Sequence, residues 1–246
     1  MLRPPRGPVG IAQRTGARVL LLNGFRLDLG GEPSDVPVTV QRLIVFLALH
    51  PRSMHRGYAA GWLWPDVAEQ RAAANLRSAL WRLRRLGVRI VDSQYGTLGL
   101  SAAVGIDLRE AEGLARRWLA GRGRDEEVES ALALLAHDLL PDWYDDWIVS
   151  EREQFRQLRL HAIEAISEHC LARGHLDQGL LAALSVVTAD PLRETALRAL
   201  VRAHLAEGNP AEAVRQVRRY CRLLYDELGV RPSTQLTELL PEGASL

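Results

Sequence analysis

Lysine is missing: all 31 Lys and Arg positions of this 246-residue chain are arginine. A Walker-type phosphate loop, a Schiff base and a Ser–Lys dyad each need a lysine amine, so none can operate here. Cysteine is scarce. Cys170 and Cys221 cannot form a disulfide framework, and both fall in helical apolar patterns, which reads as buried structural thiols in a reducing compartment. No apolar run approaches the ~20 residues of a membrane span. The opening MLRPPRGPVGIAQRTG has no secretory apolar core, and its Pro, Arg and Gly content predicts a disordered tail over residues 1–16. No HExxH, paired CxxC or GxGxxG occurs, and His161 and His169 stand eight residues apart, more than two helical turns. Neither metal nor cofactor is expected, and with no nucleophile–base set in view neither is an enzyme.

The hydrophobic share of 47% and charged share of 25% are those of a globular protein, and the length allows one large or two ordinary domains. The charge is divided. Residues 1–104 hold 14 Arg against 6 Asp+Glu, and residues 105–246 hold 17 Arg against 24 Asp+Glu. A basic half joined to an acidic half points to nucleic-acid contact by the first.

The stretch EQRAAANLRSALWRLRRLG, Glu69 to Gly87, concentrates that charge. Leu76, Ala79, Leu80, Leu83 and Leu86 recur at helical spacing. The opposite side carries Arg71, Ala74, Asn75, Ser78, Arg82 and Arg85, flanked by Arg77 and Arg84. No acidic residue occurs from Gln70 to Val91. Alone, such a face is more often merely solvated. Its chemistry also suits a DNA major groove, where Arg pairs with phosphate or guanine and Asn with adenine.

The neighbouring segments favour the second reading. Arg18–Leu29 reads as two strands, with Leu20 and Leu22 alternating before the turn at Asn23-Gly24. Pro37–Val40 reads as a third short strand or as the entry to a helix capped by Thr39, which stops near His50-Pro51. A second helix spans about Arg56–Leu63 and ends at Trp64-Pro65-Asp66. After Gly87 the period changes to two, giving a β-hairpin with Asp92-Ser93-Gln94 as its connection. Helix, helix, basic helix, hairpin is the order of a winged helix-turn-helix.

VTVQRLIVFLALHP, LWPD, ANLRSALWRLRR and the closing hairpin resemble the winged-helix DNA-binding domain of response-regulator-type activators, and more closely that of SARP-family transcriptional activators of bacterial secondary metabolism, such as antibiotic biosynthesis. The resemblance implies that Asn75, Ser78 and Arg82 meet base edges and that Arg71, Arg77, Arg85 and Arg89 meet phosphates. It also implies contact with RNA polymerase through the loop before the basic helix, at Trp64, Pro65, Asp66 and Glu69. The hairpin tip carries no arginine, which departs from the familiar wing.

From Ile106 onward the chain reads helical. Asp107 and Asp125 stand as caps, Val128, Ala131, Leu132 and Leu135 form a stripe, and a long helix runs from about Asp145 to Arg173. Asp142, Asp145 and Asp146 read as its start. Leu158, Ala162, Ala165, Ile166, Leu171, Ala172 and Gly174 return 34 residues later as Leu192, Ala196, Ala199, Leu200, Leu205, Ala206 and Gly208. That period is the mark of paired antiparallel helices of tetratricopeptide (TPR) type, which stack around a concave surface. Trp62, Trp64, Trp81, Trp143 and Trp147 suit packing between helices, Trp81 against the wing or the second domain. The segments 138–160 and 218–236 resemble the bacterial transcriptional activator domain that follows the winged helix in SARP proteins.

The expected architecture is mainly α with small β elements: a winged helix over 17–104 and an all-α TPR-like domain over 105–246. The expected function is a sequence-specific transcription activator of the bacterial cytoplasm and nucleoid. It would bind double-stranded promoter direct repeats as a homodimer and recruit RNA polymerase, without a membrane. The alternative is a TPR-like protein-interaction adaptor that never binds DNA.

Overall fold

The computed structural model describes residues 16–241, so all but Gly16 of the expected tail lies outside the described residues. They form two compact units. One runs to Leu108 and also takes in Leu140–Trp143; the other comprises Arg109–Leu139 and the chain from Tyr144 onward. No helix among the described residues is long and apolar enough to cross a membrane.

The first unit opens with strands β1 (Ala17–Leu20), β2 (Arg26–Leu29) and β3 (Glu32–Pro33). Their sheet is completed by β7 (Gly105–Ile106), parallel to β1, in the order β3-β2-β1-β7. The buried phase of the first strand is Ala17, Val19 and Leu21; of the expected Leu20 and Leu22 alternation, Leu22 is buried and Leu20 only half-buried. Three consecutive leucines fit either phase, and the partners decide: Val19 faces Leu27 across β2 and Ile106 across β7. The buried carboxylate of Asp107 accepts the Leu21 amide at 2.8 Å and the Leu22 amide at 3.0 Å. Leu140, at φ 45°, donates its amide to Leu21 O at 2.9 Å, and Trp143 sets its ring 6.2 Å from Phe25.

Helix α1 (Val38–Leu49) buries seven residues, from Val40 to Ala48, and forms the core of the unit. Thr39 does not cap it. Pro37 holds the capping position, and its carbonyl accepts the Val40 and Gln41 amides, so Thr39 falls inside the first turn. A two-residue strand β4 (Met54–His55) leads into α2 (Arg56–Leu63) and then α3 (Glu69–Arg84). Strands β5 (Val91–Gln94) and β6 (Thr97–Leu100) form the wing, and β4 joins them in the order β4-β6-β5. The hairpin does not turn at Asp92–Gln94, which lie in β5. It turns at Tyr95-Gly96, with φ 47° and 80°, and Gln94 pairs with Thr97. A type I′ hairpin turn needs positive φ at both central positions, and Gly96 supplies one without steric cost.

The second unit is helical. Helix α4 (Asp107–Leu119) begins at the Asp107 carboxylate, which accepts the Leu108 amide at 2.7 Å. A 3₁₀ turn at Asp125–Glu127 precedes α5 (Val128–Leu135). Asp125 is not the cap of α5. Its carboxylate is drawn instead to His169 Nε2 at 2.5 Å and Arg173 Nη1 at 3.2 Å. The long helix is α6 (Asp146–Ala172), followed by α7 (Leu176–Ala189), α8 (Glu194–Ala206), α9 (Pro210–Leu228) and the short α10 (Thr234–Thr237). The 34-residue repeat relates α6/α7 to α8/α9: Ala162, Ile166, Ala196 and Leu200 are all buried. Gly174 and Gly208 close the corresponding helices at φ 82° and 74°. Asn209 caps α9 by accepting the Glu212 amide, with Pro210 in the first turn.

Some aromatic and thiol expectations need correction. Trp62 and Trp81 are exposed, Trp62 beside Tyr58, while Trp118 is the deeply buried indole and meets His169 edge to face at 5.1 Å. Cys170 is buried but Cys221 is only half-buried; both are free, and burial pushes both thiols up. Burial likewise pushes Tyr220 up to about 12, and its hydroxyl donates to Leu192 O at 3.2 Å.

Four carboxylates of this unit are held below their ordinary range by hydrogen bonds: Asp125 by His169, Glu127 by Arg124, Glu153 by Gln157, and Glu212 by Arg215. Folding lowers these pKa values, so their support is present above the ordinary carboxylate range and is lost as pH falls through the folded values. The second unit is expected to loosen as pH falls below the ordinary carboxylate range. In an acid titration followed by circular dichroism, Asp125→Asn should shift part of that transition. An unchanged curve would remove Asp125 from it.

Candidate nucleic-acid interface

Helix α3 buries Ala72, Leu76, Ala79, Leu80 and Leu83 against the first unit's core. The basic face is what remains outside. Arg71, Arg77, Ser78, Arg82, Arg84 and Arg85 are exposed, Asn75 is half-buried, and Leu86 is half-buried just past the helix end. Glu69 lies in the first turn and Arg82 and Arg84 in the last, which suits the helix dipole at both ends.

The exposed groups are not equally available. Ser78 Oγ donates to Ala74 O at 3.0 Å, so its proton is committed to its own helix and its lone pairs face outward. Arg82 Nη1 lies 3.5 Å from Thr39 Oγ1, a marginal tether that leaves the rest of the guanidinium open. Arg85 stacks over Trp81 at 4.9 Å, so Trp81 holds an arginine at the rim of the face. Among the described residues, Asn75, Arg71 and Arg77 have no such tie.

Arg89 is engaged within the wing. Its Nε meets Asp92 Oδ1 at 2.5 Å, an exposed ion pair within the wing, so it must leave Asp92 before it can neutralise a phosphate. Arg84 and Arg89 border a cleft of about 410 Å³ between the end of α3 and the wing. The wing tip displays Tyr95, fully exposed, and no arginine.

In the loop before α3, Pro65 and Asp66 are exposed and Trp64 is half-buried, its amide donating to Ala60 O; Glu69, the first residue of α3, is exposed beside them. Sequence reasoning missed Arg56. Its amide donates to Gly96 O at 2.9 Å and its Nη2 to Ser93 Oγ at 3.2 Å, pinning the start of α2 to the wing. A two-residue strand carries no period, so nothing in the pattern announced that link. Among the described residues, no group of three or more His, Cys, Asp or Glu side chains is arranged to hold a metal.

A two-stranded wing folded beside an exposed basic helix, followed by stacked helix pairs, is an architecture that known proteins share. The family described as bacterial transcriptional activator domain matches residues 106–242, more than half of the chain. The chain belongs to that family. Regulatory protein AfsR of Streptomyces coelicolor is 28% identical over 249 residues, covering 96% of this chain and 25% of that protein. The structure of Mycobacterium tuberculosis EmbR in complex with a low-affinity phosphopeptide matches with a TM-score of 0.73 and 20% identity. It covers 93% of this chain and 66% of that one. The chain thus spans about a quarter of AfsR's length and just under two thirds of EmbR's. The fold expected from the sequence, a winged helix followed by a TPR-like helical unit, holds, and the second part of the chain is a bacterial transcriptional activator domain.

Proposed function

We propose that this chain binds specific promoter DNA through α3 and activates transcription there. The carrying observation is the face of α3 and its C-cap: five arginines and a serine exposed around Asn75, with no carboxylate between Gln70 and Val91. A helix backed by an apolar core and placed before a wing enters the major groove with that face inward. Asn75, Ser78 and Arg82 meet base edges, Ser78 as an acceptor. Arg71, Arg77 and Arg85 meet phosphates, as does Arg84 beside the wing cleft, joined by Arg89 once Asp92 is released.

Trp64, Pro65, Asp66 and Glu69 offer RNA polymerase an exposed loop beside the DNA. Two copies sit side by side on a direct repeat, and the helical unit supplies protein contacts. The resemblance to SARP activators makes secondary-metabolism genes the target class, and the nucleoid of the bacterial cytoplasm the place of action.

Arg82→Ala is expected to flatten base preference at one position and to cost about 1–3 kcal/mol on the preferred site, the worth of a bidentate base contact. Arg71→Ala should weaken all sequences alike. Binding to a randomised site library, sequenced before and after selection, reads both. If Arg82→Ala lowers every sequence equally, Arg82 holds the backbone and does not read bases.

A further inference from the structure

The second unit carries a basic stripe that DNA reading by α3 does not use. Acidic residues outnumber arginines in 105–246 by 24 to 17, yet Arg215, Arg218, Arg219 and Arg222 fall at i, i+3, i+4 and i+7 on α9. All four are exposed. Like charges at that spacing repel along a helix, so stability alone does not account for the arrangement. Glu212 answers Arg215, whose Nε reaches its Oε2 at 2.8 Å. Among the described residues, Arg219 and Arg222 have no carboxylate partner.

An apolar cleft of about 250 Å³ lies beside this stripe, between α7 and α9. Leu184, Val187, Pro191 and Leu223 line it with Tyr220, and Arg219 stands in its lining. Leu184 is 44% exposed, and Leu181, one turn earlier on the same side of α7, is 63% exposed. An aliphatic groove edged by the unpaired Arg219, with Arg222 one turn further along α9, fits a helix with an apolar stripe and an acidic flank. Nucleic acid fits it poorly: the lining is mostly aliphatic, and its one aromatic ring is buried and offers no stacking platform.

We propose that the α7–α9 groove docks an acidic amphipathic helix of a partner protein, with apolar side chains in the cleft and carboxylates on Arg219 and Arg222. The surface is separate from α3, and its test needs no DNA. The probe is a fluorescein-labelled synthetic helix of about four turns, with Leu at i, i+3, i+4 and i+7 and Glu elsewhere. Fluorescence anisotropy with the full chain is expected to show saturable binding. Leu184→Asp and the pair Arg219→Glu with Arg222→Glu should each weaken it about tenfold or more, with circular dichroism unchanged because these side chains are exposed. A probe with Arg in place of Glu should prefer the charge-reversed protein, and Arg82→Ala should bind the acidic probe like the parent. The proposal is overturned if the acidic probe does not saturate or if charge reversal leaves its affinity unchanged. It is equally overturned if charge reversal weakens random duplex DNA but not the probe.

Discussion

Raising salt from about 50 to about 200 mM is expected to weaken promoter binding by one protomer about five-hundredfold. Arg71, Arg77, Arg84, Arg85 and Arg89 lie along α3 and its exit into the wing, all exposed. Each phosphate neutralised adds roughly −0.9 to the slope of log affinity against log salt, so five contacts give about −4.5. Two copies on a direct repeat would about double it. The Arg89–Asp92 pair makes a sharper version possible: if Arg89 stays on Asp92, the protomer slope falls to about −3.6. Fluorescence titrations of a labelled duplex across a salt series give the number directly. A slope near −1 would mean that the basic face is only solvated, and the DNA reading would fail.

The second large effect concerns the joint between the two helix pairs. Arg193, at the start of α8, reaches Glu164 on α6 with Nε to Oε1 at 2.7 Å and Nη2 to Oε2 at 3.3 Å. Its Nη1 donates to Gln157 Oε1 at 2.8 Å, and Thr195 Oγ1 donates to Glu164 Oε1 at 2.6 Å. Both charged side chains are 11% exposed. Arg193→Ala would leave Glu164 charged, buried and short of donors, at a cost of about 3–5 kcal/mol. The double replacement Arg193→Met with Glu164→Leu removes both charges together and should recover most of that loss. Urea unfolding of the parent, the single and the double variant measures both. If the single variant loses less than about 1 kcal/mol, well below the cost of orphaning a buried charge, the pair is not what fastens the repeats.

What could be read from the sequence follows from length and period. Helix α3 is long and strongly two-faced, so its buried and exposed sets were both legible, and the 34-residue spacing revealed the helix pairs. The short pieces were not legible. Strands β4 and β7 have two residues each, too few for any alternation, and β7 lies where the helical pattern begins. The run Leu20–Leu22 offered two registers, and only β7 and the Asp107 carboxylate choose between them. Asp107 and Asp125 looked alike as caps. The first serves its own helix and a distant strand, while the second is taken by His169 and Arg173, partners more than 40 residues away. Within the candidate interface, residue types were visible but commitments were not. Ser78's bond to its own helix, the Arg85–Trp81 stack and the Arg89–Asp92 pair each depend on side-chain direction.

The return of Leu140–Trp143 to the first unit bears on how the protein is made. The N-terminal unit is not finished when its last strand has been synthesised. Leu21 O still lacks the Leu140 amide, and Phe25 lacks Trp143. At translation rates of about 5–20 residues per second, the wait between Leu108 and Trp143 is on the order of 2–7 s. During that interval the chain carries a nearly complete basic head with an open seam beside Leu21. Any graft that moves this head to another protein must therefore carry the four-residue clasp with it.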